Sequence, residues 1–245
     1  MILSRRLLVA VLLGGLLLPG FVHGEDKVRG EDKPNDAVVA APRDGGWMKR
    51  HESFNERVKK GNVDLIFIGD SITQGWEGGG EKVWEEFYGE RNAVNLGIGG
   101  DRTQHVLWRL DNGNIEGIKP KLAVLMIGTN NSSSNTSEQI AAGITAIVEK
   151  LRTKLPETKV LILGVFPRGE NKDNANRKVN AGANEIVKKL ADDKHVFYLD
   201  IGGKFLAEDG TLSREIMPDL LHLNEKSYRI WAESIEPQVK KLMES

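Results

Sequence analysis

Four stretches of the chain carry residues suited to hydrolytic acyl transfer. Ser71 closes the run Gly69-Asp70-Ser71, and Asp219-Leu220-Leu221-His222 sets a carboxylate three residues before an imidazole. A neutral serine needs a base, the base needs an orienter, and the developing oxyanion needs donors. Ser71 can supply Oγ, and His222 can take its proton, because an imidazole in its ordinary state is largely neutral at about pH 7 to 8. Asp219 can reach the other ring nitrogen if its segment turns, fixing the tautomer and stabilising the imidazolium. The two remaining stretches are Gly97-Ile98-Gly99-Gly100-Asp101 and Gly128-Thr129-Asn130-Asn131. The backbone N–H groups of Ser71 and Gly100, with the Asn130 side-chain amide, would form an oxyanion hole. Losing one such donor costs roughly 3 kcal/mol of transition-state stabilisation.

Each stretch also has an ordinary structural reading. Gly-Asp-Ser after a strand is a common turn and helix N-cap, and Asn130-Asn131 can cap a turn. The glycine cluster lacks the third glycine of a dinucleotide loop, since position 102 is Arg, and no Gly-Lys-Ser/Thr follows a glycine loop. Asp219 and His222 could be two metal ligands, but no other histidine lies at ligand spacing. Individually these readings are strong; together they are weak, because they do not explain why four polar motifs each follow a strand or precede the last helix.

The elements that must position these residues alternate. A polar helix over Trp47 to Lys60 precedes the apolar run Asp64 to Ile68. An amphipathic segment (Val83 to Tyr88) leads to Ala93 to Leu96, and a helix (Thr103 to Leu110) to Leu122 to Ile127. Ile140, Ile144, Ile147, Val148, Leu151 and Leu155 then fall at helical spacings that Pro156 ends. Val160 to Val165, a helix around Asn174 to Leu190, Val196 to Leu199 and a helix from about Glu225 to Met243 complete the series. Five short apolar runs separated by helices predict a parallel sheet buried on both faces, in one α/β domain. Open parallel sheets bind ligands at the carboxyl ends of their strands, where the four motifs converge.

The first 24 residues read as a signal peptide: Ser4-Arg5-Arg6 precedes an unbroken apolar stretch from Leu7 to Leu18, with cleavage expected near Gly24. A retained anchor is the alternative, although the apolar run is short for a span of about 20 residues. Residues 25–46 are charged, carry Pro34 and Pro42 and read as a flexible linker, leaving 47–245 for the domain. The chain has 245 residues and no cysteine, which excludes thiol nucleophiles, Cys-ligated zinc and disulfides. A formal net charge of −1 gives no whole-chain electrostatic case for a nucleic-acid partner.

Taken in order, Gly69-Asp70-Ser71, Gly100, Asn130 and Asp219-x-x-His222 resemble the four blocks of the SGNH (GDSL) hydrolase superfamily. The resemblance spans Trp47 to Met243. It is strongest toward the platelet-activating factor acetylhydrolase Ib catalytic subunits, through Asn95 to Asp101, Thr103 to Leu110, Gly128 to Asn131 and Asp209-Gly210-Thr211. It implies a flavodoxin-like three-layer α/β/α fold with a five-stranded parallel sheet of order 2-1-3-4-5. It also implies a Ser-His-Asp triad with the oxyanion hole above, no metal, no cofactor, and a preference for short acyl esters. Likeness to dimer-forming subunits makes a homodimer an expectation. Arg102, the glycine-rich loop Glu77-Gly78-Gly79-Gly80 and the export signal depart from the pattern, and bear on the substrate rather than the chemistry.

Of the five histidines, His222 is the candidate base. His23 lies in the signal, His51 and His195 read as structural or solvated, and His105 as packing or hydrogen bonding within its helix. Arg102 opens that helix beside the proposed hole and is the candidate for binding a polar or anionic leaving group, against a surface salt bridge. Trp76, Trp84 and Trp108 could include a sugar-stacking platform, with core packing the better reading for the latter two. The expectation is thus an exported esterase removing a small acyl group, most simply acetyl, from a carbohydrate. Its alternatives are an acetyl-phospholipid hydrolase or lysophospholipase, and a non-catalytic binding module of the same fold.

Overall fold

The computed structural model describes residues 34–244; the signal peptide expected over 1–24 and the start of the linker lie outside them. Five parallel strands, β1 (Leu65–Gly69), β2 (Ala93–Gly97), β3 (Leu122–Met126), β4 (Lys159–Leu163) and β5 (Val196–Leu199), form one sheet in the order β2-β1-β3-β4-β5. The strands are apolar along both faces because both are covered. Ile66 and Ile68 of β1 pack with α1 (Gly46–Lys59), α4 (Thr103–Asp111), α5 (Ser137–Lys154) and α6 (Ala175–Val187). Leu65 and Phe67, one residue out of phase, pack with α2 (Ser71–Gln74), α3 (Glu81–Tyr88) and α7 (Glu225–Glu244). This three-layer arrangement is the expected fold, and each of the expected helices and strands is present within a few residues.

Helix ends follow their cap chemistry. Thr136 Oγ1 accepts the Gln139 N–H at 3.3 Å while Gln139 Oε1 accepts the Thr136 N–H at 3.1 Å, a reciprocal cap that starts α5 ahead of its apolar stripe. Helix α7 is docked onto the short α2 by Tyr228, whose hydroxyl donates to the Ile72 carbonyl at 2.7 Å. The chain runs from β1 outward to β2, then crosses back to β3 on the other side of β1. The switch point of the sheet therefore lies between β1 and β3, the place where open parallel sheets bind ligands.

Two expectations need correction. Residues 34–45 are not a free tether: Ala37 is fully buried, Thr103 Oγ1 donates to its carbonyl at 2.7 Å, and Asn135 Nδ2 donates to Asp36 at 2.6 Å. Charge and proline content hid this docking, because the partners lie more than 60 residues away. Helix α1 is not polar throughout either. It buries Trp47, His51, Phe54 and Val58, and His51 stacks on Trp47 at 5.7 Å between centroids.

Candidate active site

Strand β1 ends at Gly69, and the chain turns at once into α2, with Asp70 as N-cap and Ser71 as the first helical residue. Asp70 Oδ1 accepts the Ile72 N–H at 3.0 Å, which holds the turn. Ser71 thereby stands above the carboxyl edge of the sheet. Its Oγ lies 2.9 Å from His222 Nε2, and His222 Nδ1 lies 2.6 Å from Asp219 Oδ2. Asp219 Oδ1 accepts the N–H groups of Leu221 (3.1 Å) and His222 (2.7 Å), so the carboxylate folds its own segment into the turn that brings the imidazole back. Partial burial raises the Asp219 pKa, but the hydrogen bonds and charge of His222 outweigh this and hold it below the ordinary range.

The expected oxyanion donors Gly100 and Asn130 lie in the loops after β2 and β3. Asp101 N–H bonds Ile98 O at 3.1 Å, closing a turn in which Gly100 has φ +76°. Gly99, the second residue, is not among the residues of positive φ, so the turn is type II, which favours glycine at its third position. A methyl built on Gly99 would lie 3.8 Å from Ser71 Cβ, so this turn borders the serine. Asn130 Nδ2 donates one hydrogen to the Asp101 carbonyl at 2.9 Å, and its other hydrogen has no acceptor among the described residues. Among the described residues no acceptor takes the Gly100 N–H. Ser71, His222 and Asp219 are thus joined in one relay, with the glycine turn beside Ser71 and Asn130 tied to that turn through the Asp101 carbonyl.

The glycine turn rests on a buried ion pair. Asp101, fully buried, accepts from Arg109 Nε (2.9 Å) and Trp47 Nε1 (2.6 Å), and Arg109 is itself 1 % exposed. Burial pushes the Asp101 carboxyl upward against the opposing pull of Arg109, Trp47 and Arg43. Beneath the serine, burial, with the Asp101 charge adding to it, carries the Asp70 carboxyl up to about 7 against the Ile72 N–H and His222. On the far side, Arg168 Nη1 donates to the Thr129 carbonyl at 3.1 Å and to Thr129 Oγ1 at 3.3 Å, bracing the loop that carries Asn130. Sequence reading missed Asp101, Arg109, Arg43 and Arg168. Asp101, directly after the glycines, was the one local signal available.

Arg102 is part-buried at the start of α4, and no carboxylate among the described residues pairs with it, which disposes of the surface salt bridge. His105 has a structural part: its Nδ1 accepts the Arg102 N–H at 2.9 Å, and burial with Arg43, Arg102 and Arg109 lowers its pKa to about 4. Trp76 is no stacking platform. It is 1 % exposed in the core, against Tyr228 and Trp231, and Trp84 and Trp108 are packed against the core as well. No group of three or more His, Cys, Asp or Glu able to hold a metal occurs among the described residues.

The profile of the GDSL-like lipase/acylhydrolase family matches residues 67–230. The chain belongs to that family. Among relatives of this GDSL hydrolase, platelet-activating factor acetylhydrolase IB subunit alpha2 of Homo sapiens is 38% identical over 226 residues, covering 91% of this chain and 90% of the relative. The alpha1 subunit of Homo sapiens is 41% identical over 208 residues, covering 84% and 87%. The fold matches a GDSL-like lipase from Bacteroides thetaiotaomicron (TM-score 0.61, 20% identity, 79% and 97% covered). It also matches an acetylxylan esterase from Geobacillus stearothermophilus (TM-score 0.58, 18% identity, 73% and 94% covered). The GDSL hydrolase is accordingly a carboxylic ester hydrolase.

Proposed function

We propose that this hydrolase is an exported serine esterase that removes a short acyl group, acetyl in the first instance, from a carbohydrate hydroxyl. The observation that carries the chemistry is the relay from Ser71 Oγ to His222 Nε2 (2.9 Å) and from Nδ1 to Asp219 (2.6 Å). Ser71 Oγ attacks the ester carbonyl carbon as its proton passes to His222 Nε2. The oxyanion is met by the N–H groups of Ser71 and Gly100 and by Asn130 Nδ2. Collapse expels the alcohol, which takes the proton from His222, and leaves acyl-Ser71. Water, deprotonated by the same imidazole, attacks the acyl carbon; the second oxyanion collapses, and the proton returns to Ser71 as the acid departs. Asp219 holds the ring and stabilises the imidazolium throughout.

A carbohydrate leaving group is supported by Arg102, which directly follows the glycine turn and has no carboxylate partner among the described residues. The acetyl preference is supported by relatives named acetylhydrolases. Those names also favour a second reading, an acetyl-phospholipid hydrolase. Export is supported by the Arg-Arg and apolar pattern before Glu25; a secreted product beginning at Glu25, measured by intact mass, would bear it out.

The purified enzyme is expected to hydrolyse p-nitrophenyl acetate in EDTA, and Ser71→Ala to abolish turnover with an unchanged melting temperature. Persistent turnover in that variant removes Ser71 as nucleophile. Acetate release from acetylated glycans and from acetylated phospholipids decides between the two alcohols. In the Arg102→Ser variant a loss confined to one class marks Arg102 as a specificity residue, and equal losses remove it from that role.

A further inference from the structure

The peptide between Gly99 and Gly100 is the central peptide of the type II turn, and its orientation decides whether the Gly100 N–H serves the hole. Types I and II differ mainly by a half-turn of this one unit. In a trans peptide the carbonyl and the N–H point in opposite directions, and none of the described peptides is cis. Whatever fixes the direction of the Gly99 carbonyl therefore fixes the direction of the Gly100 N–H. With glycine on both sides, no Cβ opposes a flip.

The other bonds of the loop engage neighbouring units. Gln74 Oε1 accepts the Gly99 N–H at 2.7 Å, Asp101 N–H bonds Ile98 O, and Arg109 and Trp47 hold the Asp101 carboxylate. The central peptide has one partner among the described residues: Arg43 Nη1 donates to the Gly99 carbonyl at 2.9 Å and to Asp101 Oδ1 at 3.3 Å. A methyl on Gly100 would come within 3.2 Å of both Nη atoms, so the guanidinium lies against the turn itself. Arg43 belongs to the segment 34–45 that docks through Ala37 and Asp36, which brings its guanidinium from outside the hydrolase core.

We propose that Arg43 is a positioning residue of the esterase. By holding the Gly99 carbonyl it keeps the turn in type II and keeps the Gly100 N–H aimed at the oxyanion, which makes the N-terminal arm part of the active site. A cation on the carbonyl end also polarises the peptide, strengthening the N–H as a donor. The inference rests on the oxyanion-hole assignment above.

The test is a graded series, Arg43→Lys, Arg43→Gln and Arg43→Met, assayed on p-nitrophenyl acetate, with kcat expressed per site that a fluorophosphonate labels at completion. The expected order of kcat is wild type, Lys, Gln, Met, with Met down by about ten- to a hundredfold. KM should stay within about threefold, because the hole acts on the transition state more than on the bound ester. A flat series, or losses that vanish once kcat is expressed per labelled site, overturns the proposal, since a merely structural arm changes the amount of active protein and not its turnover. Failure of the wild type to cleave the ester would overturn the esterase reading instead.

Discussion

Gly169 donates its backbone N–H to the carbonyl of Leu220 at 2.9 Å. Leu220 sits inside the Asp219-to-His222 turn with φ +62°, a left-handed conformation unusual for leucine. The residue before Gly169 is Arg168, whose side chain holds Thr129. One dipeptide after β4 thus braces the loop of Asn130 on one side and the turn of His222 on the other. Gly169 has φ +70°, and a Cβ there would lie 2.4 Å from Asn174 Cγ. Gly169→Ala is expected to cost about 1–2 kcal/mol from the backbone alone, to lower the melting temperature and to lower kcat. Wild-type values for both in a melt and a steady-state assay would show that the dipeptide braces nothing.

Gly100→Ala tests the turn from the other side. Alanine at φ +76° is strained and crowds the Arg43 guanidinium, and a flip to type I would relieve both while turning the N–H away. The expected result is a fall in kcat of about a hundredfold or more with little change in KM. Steady-state kinetics on a soluble acetyl ester read it directly, and a KM effect alone would place Gly100 in ground-state binding.

Asp219→Asn keeps the size of the side chain but turns an acceptor of the His222 Nδ1 proton into a group that can present a donor there. The ring then loses its preferred tautomer and the stabilisation of its cation. A fall in kcat of about a hundredfold to ten-thousandfold is expected. Activity within a few-fold of wild type would mean that His222 is oriented by other contacts.

Asp70 makes stability depend on pH. Its folded-state pKa, raised by burial to about 7 from an ordinary 3.8, means that the folded protein keeps a proton the unfolded chain has released. The resulting stabilisation is complete below about pH 4 and is lost as pH rises toward and through 7, by up to about 4 kcal/mol. Asp70→Asn has no such proton, so its stability relative to wild type should climb between pH 5 and about 8 in denaturant titrations. His105 contributes the opposite slope, since its lowered pKa makes acid destabilising below about pH 6.5, but both proteins share it. A constant difference across this range would show that Asp70 is ionised in the folded protein throughout.

Much of this architecture was legible without coordinates. Ile66 and Ile68 alternate with Leu65 and Phe67 across two buried faces, so β1 read as an unbroken apolar run, and the stripe from Ile140 to Leu151 marked α5. Ser71, Gly100, Asn130 and the Asp219-His222 pair stood out because each follows a strand or precedes the last helix. What escaped notice depends on contacts between distant segments. Polar composition around Arg43 suggested a tether, yet its guanidinium meets Gly99, 56 positions away. Trp76 looked available for stacking, but the aromatic cluster that buries it draws on Phe67, Tyr228 and Trp231. His51 lay among charged neighbours, and its burial depends on the stack with Trp47 and the Asn114 side chain.

By itself the amino-acid sequence determined the fold class, the order of elements and the sheet edge on which the reactive groups gather. Those follow from local periodicity and from the rule that the loops at the carboxyl ends of parallel strands face the ligand. Only the tertiary structure decided how the site is held: Arg43 on the Gly99 carbonyl, Arg109 on Asp101, Arg168 on Thr129 and Gly169 on Leu220. A hydrogen bond between distant segments leaves no periodic trace in either of them. Its geometry exists only once the sheet has brought the loops within about 3 Å of one another.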